Sequence, residues 1–234
     1  MSIDDRKARM RDAVFAKMVA ASSQGDWVGV IALEKQVEGD LNVMYNDAVE
    51  RHLRFSVGVA HQNLGQIELA IRSFQRAADI SATECNYKTQ GHMLMYVGML
   101  SMGLGGEGAS AKGRACFEKV RRLGEGGGYF ALESEACLGL SELAKDEGRL
   151  GEAQELAANA LIAADLMDDD ENGRFNLQAN ALKSVIQNSD REAPSFDEKL
   201  MHRYREIAES IPGPRSACVV DHRSQALIFL VLNP

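Results

Sequence analysis

Residues 51–80 read RHLRFSVGVAHQNLGQIELAIRSFQRAADI. Gly65 divides the stretch: Val57-Gly58 lies before it, and Ala70, Phe74 and Ala77 lie after it. Ala70, Phe74 and Ala77 fall at i, i+4 and i+7, one stripe of an α-helix. A glycine between two helical stretches supplies the left-handed residue that ends a helix at least steric cost. The stretch therefore predicts a helix, a tight turn and a second helix running back along the first. Two antiparallel helices approach closely only where side chains are very small, so Gly58 is expected to face Ala70.

Working outward, the pattern recurs. The turn glycines Gly25, Gly65, Gly105 and Gly148 are spaced by 40, 40 and 43 residues, and the second-helix positions Glu34, Phe74, Phe117 and Ala157 by 40, 43 and 40. Three residues inserted between Gly105 and Gly113, within the glycine-rich GLGGEGASAKG, reconcile both series. The fourth unit offers Leu140-Ser141, then Gly148, Leu150, Ala153, Ala157 and Ala160; the third offers Val97-Gly98, then Gly113, Phe117 and Val120. The first gives Gly25-Asp26-Trp27, then Val30, Ile31 and Val37. It departs most, with Lys17 and Glu34 at stations otherwise apolar, as suits a terminal repeat whose outer face meets water. A fifth pair is expected over 174–211, and residues 212–234, which end in RSQALIFLVLNP, are expected to form a tail or a cap as a short helix or strand.

Val57-Gly58, Gly65, Ala70, Phe74 and Ala77 resemble the tetratricopeptide pattern of a large residue, Leu-Gly, an aromatic, a turn Gly, then Ala, an aromatic and Ala, with His61 at the first aromatic position. The resemblance covers residues 12–163 well and 174–211 weakly. The usual period of that family is about 34 residues; this one is near 40 and is similar to longer-period relatives such as those resembling kinesin light chains or adaptor proteins. The resemblance implies an all-α fold, a right-handed superhelix (α-solenoid) of antiparallel hairpins at approximately 5–40, 48–82, 88–124, 130–166 and 174–211. It also implies a concave groove lined by the first helix of each pair. The family's groove positions fall here on Phe55, Val59, Gln62 and Asn63, then His92, Met95, Met99 and Met102, then Leu138, Glu142 and Lys145. Met95, Met99 and Met102 form a thioether stripe that could re-pack around apolar partners or simply fill gaps between repeats. A C-terminal-carboxylate clamp is not expected, because Phe15 and Val19 occupy the corresponding first-unit positions. The implied function is a scaffold or adaptor that binds a peptide or amphipathic helix of another protein and catalyses nothing.

Composition agrees with a helical, soluble domain. The chain is 45% hydrophobic and 26% charged, and its four prolines (194, 212, 214 and 234) leave residues 1–193 free of proline. A net charge of −8 argues against nucleic acid. The charged N-terminus has no apolar stretch behind it, and the longest apolar run, Ala226–Leu232, is far below the roughly 20 residues of a membrane span; no membrane association and a cytoplasmic location are expected. Cys85, Cys116, Cys137 and Cys218 are scattered without metal-ligand spacing.

Local motifs add little chemistry. Residues 103–108, GLGGEG, match a dinucleotide fingerprint, but MLMYVGMLSM before them reads as helix where that motif needs a strand. Asp168, Asp170, Asn172 and Gly173 match the opening of a calcium loop, while Ala179 stands where the closing bidentate carboxylate belongs. A calcium- or ligand-responsive regulatory module built on residues 168–173 is the alternative function. His52, His61, His92, His202 and His222 are isolated, with His61 expected to be structural and partly buried. No catalytic residue, cofactor or metal site is expected.

Overall fold

The computed structural model describes residues 3–40, 47–106, 108–167, 177–178, 180–182, 184, 218–221 and 226–229, with side chains from residue 13 onward and not at 36–40, 47, 218–221 or 226–229. Its helices are α1 (Ile3–Ser23), α2 (Trp27–Asp40), α3 (Asp47–Asn63), α4 (Ile67–Thr83), α5 (Tyr87–Leu104), α6 (Ala109–Gly127), α7 (Phe130–Asp146) and α8 (Leu150–Asp165). The fold is all-α, built of helices that pack in adjacent antiparallel pairs. Beyond them lies one short antiparallel hairpin of β1 (Cys218–Asp221) and β2 (Ala226–Phe229), with Cys218 opposite Phe229. The chain divides into two compact units, Met1–Leu123 and Gly124–Pro234. Most of the expected 174–211 pair lies outside the described residues.

The turns repeat as the glycine spacing predicts. Gly25, Gly65 and Gly148 all adopt left-handed φ, at +71°, +72° and +75°. In each case the next residue's N–H reaches back five positions: Asp26 to the Ala21 carbonyl, Gln66 to His61 and Arg149 to Ala144, at 2.9, 2.8 and 2.8 Å. This closure satisfies carbonyls that the helix end leaves without partners. The third turn departs. Gly105, Gly106 and Gly108 are all left-handed, and α6 starts four residues after Gly105 instead of two. Two of the three inserted residues therefore lie in this connection, and the third lies within α6 before Phe117. The links between hairpins close in the same way: Asn86 N–H reaches Ser81 across left-handed Cys85 (φ +54°), and Tyr129 N–H reaches Gly124 across Gly128.

Within Met1–Leu123, the side chain nearest to Gly58 is the Phe74 ring. A Cβ placed on Gly58 would come 2.8 Å from Phe74, and one on Gly98 would come 2.6 Å from Phe117. Both glycines make room for an aromatic ring of the second helix, at matched stations of the second and third hairpins. Ala70, Phe74, Ala77 and Ala78 are fully buried on α4. Met18, Val30, Leu53, Val57 and Ala60 form a core cluster that joins the first hairpin to α3. Of the two polar departures in the first unit, Lys17 is exposed at the station that Val57 and Val97 bury. Glu34 does not simply face water: it is largely buried and bonds to Arg54 of α3. Arg54 also lies 3.8 Å from Glu50, and Glu50 accepts from Arg76 at 2.8 Å, so ion pairs of alternating sign cross α2, α3 and α4.

Within Gly124–Pro234, α7 and α8 pack as a pair with small side chains. Ala153, Ala157, Ala160 and Ala164 are fully buried on α8. Ser134 Oγ donates to the Ala160 carbonyl at 2.8 Å and Ser141 Oγ to the Ala153 carbonyl at 2.7 Å. Two hydroxyls one heptad apart thus fasten α7 to the backbone of α8, and Ser141 also meets Ser184 at 3.0 Å.

Candidate partner-binding face

The period assigns matched stations on the first helix of each hairpin. One row holds Phe15, Phe55, Met95 and Leu138; the next holds Val19, Val59, Met99 and Glu142. In Met1–Leu123 the second row is open: Val19 is 54% and Met99 50% exposed, and Val59 is half-buried. The row beneath is progressively covered. Phe15 is 42% exposed, Phe55 is half-buried and Met95 is buried at 7%. Phe55 lies 5.9 Å from the Phe74 ring and 6.1 Å from that of Tyr96, and Phe74 and Tyr96 stack at 4.7 Å. This aromatic cluster ties α3, α4 and α5 together.

The methionine stripe splits accordingly. Met95 belongs to the core, Met99 reaches solvent, and Met102 is half-buried with its side chain over Gly113 of α6. Gln62 is half-buried, and Asn63 is exposed with its side-chain amide donating to the Val59 carbonyl at 2.9 Å. In Gly124–Pro234, Leu138 is half-buried and Glu142 is exposed. Lys145 lies 3.8 Å from Glu142, an exposed pair that adds little stability.

A third matched station carries the titratable groups His52, His92 and Glu135. Burial, then the Lys88 charge, lowers the pKa of His92; burial, then Arg51, lowers that of His52, which meets Phe15 edge-on at 5.5 Å. Burial raises the carboxyl of Glu135 above its ordinary range. Of these three, the sequence reading singled out His92 alone. The shared offset from the turn glycine was the signal that could have found the other two.

The remaining motifs resolve simply. His61 is buried, with Nδ1 2.6 Å from the Gln66 side-chain oxygen. The GLGGEG stretch begins in the last turn of α5 and continues into the inserted loop, so helix precedes it and not strand. Residues 168–173 lie outside the described residues. Among the described residues no cluster of His, Cys, Asp and Glu is arranged to hold a metal, and no helix is long and apolar enough to cross a membrane.

No family model matches the chain, and no curated protein matches it in sequence. The fold itself has a solved counterpart. The crystal structure of BtubC (BKLC) from P. vanneervenii aligns with a TM-score of 0.54 at 14% identity, over 91% of this chain and 96% of that one. At that identity the likeness is one of fold.

Proposed function

We propose that the chain is a tetratricopeptide-like repeat adaptor of the cytoplasm, which holds a peptide or amphipathic helix of another protein on the open face of its first helices. It acts by binding, without catalysis, cofactor, nucleic acid or membrane. The observation that carries this reading is the apolar row of exposed Val19, half-buried Val59 and exposed Met99, set at one register on α1, α3 and α5. Isolated apolar residues on a surface need no explanation, whereas a row at matched stations of stacked hairpins suits a ligand that runs across them. Met99 contributes an adaptable thioether to that row.

The test is partner capture from the cell of origin with the wild-type chain and with a Val59→Asp, Met99→Asp variant whose helical circular dichroism is unchanged. Loss of the captured partners from the variant is expected. An identical captured set would remove the face from consideration.

A further inference from the structure

The described side chains beside the row proposed as the docking face are basic (Lys88) or weakly basic (His52 and His92), although the whole chain carries −8. Among the described side chains of α3 and α5, Glu50 is the only carboxylate, and it is buried and paired with Arg76. Helix α5 carries Lys88 and His92 and no acid at all. On α3, His52 stands at the station matching His92, beside Arg51, whose guanidinium is paired with Glu84 at the end of α4. His52 and Lys88 are exposed and His92 is half-buried. We infer that this face, on the reading just given, selects an acidic amphipathic segment, with its apolar side on Val59 and Met99 and its carboxylates toward His52, His92 and Lys88.

The physical case is charge complementarity. Elsewhere an acidic protein repels an acidic ligand, and this face is the exception that steers one in. Both histidines already feel a cation, Arg51 or Lys88, that disfavours their protonation. A ligand carboxylate reverses that local field and favours the protonated form of each ring. A basic segment would instead meet the like charge of Lys88.

The experiment is selection of a displayed random-peptide library, with inserts of roughly 16 residues so that helix is accessible, against the full chain. Three variants are screened beside it: Val59→Asp with Met99→Asp, Lys88→Glu with His52→Glu, and Lys88→Glu alone. These positions are exposed or half-buried, and circular dichroism checks each fold. The recovered peptides are expected to combine apolar residues at helical spacing with an excess of Asp and Glu. A synthetic copy is expected to lose about tenfold in Kd on charge reversal and to weaken further with added salt. Neutral or basic peptides that still depend on Val59 and Met99 would overturn the acidic preference and leave the face standing. Peptides that bind the Val59→Asp, Met99→Asp variant equally well, or no enrichment over that variant, would overturn the face itself.

Discussion

The hairpins α3–α4 and α7–α8 solve one packing problem with opposite chemistry. Where the helices of the first pair approach, Gly58 gives up its side chain and Phe74 fills the space with a buried ring. At the matched stations of the second pair stand Ser141 and Ala157. The aromatic is gone, both residues are buried, and the serine hydroxyl spans to the Ala153 carbonyl. The lesson is that the repeat preserves burial at the stations shared across the helix pair while residue identity drifts. One hairpin gains mostly from burying an aromatic surface. The other gains from close backbone approach and from hydroxyls bonded to carbonyls.

The largest expected effect breaks the first solution. Phe74→Ala should cost about 3–5 kcal/mol by urea denaturation, since the ring is fully buried and also stacks on Tyr96. A cost under about 1 kcal/mol would mean that Gly58 does not depend on the ring. Next, Ala157→Phe should overpack α7–α8 and cost about 1–3 kcal/mol. Adding Ser141→Gly transplants the other hairpin's solution, so the double variant should be less destabilised than the two single effects combined, by at least about 0.5 kcal/mol. Strict additivity in that cycle would show that the two stations are not equivalent.

A smaller effect sharpens the comparison of the turns. Cys85 takes a left-handed conformation that Gly128 adopts freely at the matched link. Cys85→Gly should therefore stabilise by roughly 1 kcal/mol, raising the thermal midpoint; a lowered midpoint would show that the thiol makes a contact worth more than the strain.

The smallest effects are opposite pH slopes in the two units. His92 has a lowered pKa, so the unfolded chain takes up its proton first as pH falls. Its contribution is complete above the unfolded value near 6.5 and is lost as pH drops toward the folded value. Glu135 has a raised pKa, so its contribution is present at low pH and is lost as pH rises through that value. His92→Gln should flatten the stability profile below about pH 6.5, and Glu135→Gln should flatten it above about pH 4.5, in denaturant titrations across pH. Unchanged profiles would mean that both groups stay as solvated in the folded chain as in the unfolded one.

Much of the fold was legible because its signals are local. A left-handed glycine, an i, i+4, i+7 stripe and a 40-residue period each need only neighbouring residues to be read, and Gly65, Phe74 and the inserted loop after Gly105 follow from them. The candidate face was half legible. Phe55, Val59 and Met99 fall on it by register alone, but Met95 and Met99 lie one turn apart on the same stripe and part company, one into the core and one into water. Nothing in either residue distinguishes them; the neighbouring helices do.

By itself, the sequence determined the helices, their turns and the order in which they pair, because backbone conformation answers to nearest neighbours. Only the tertiary structure decided what meets what across a pair: Gly58 against the Phe74 ring, Glu34 drawn onto Arg54, and two serines bonded to the backbone of the facing helix. Such contacts depend on the height and rotation at which two helices dock. That is set by the sum of many side-chain volumes, and no single position in the chain records it.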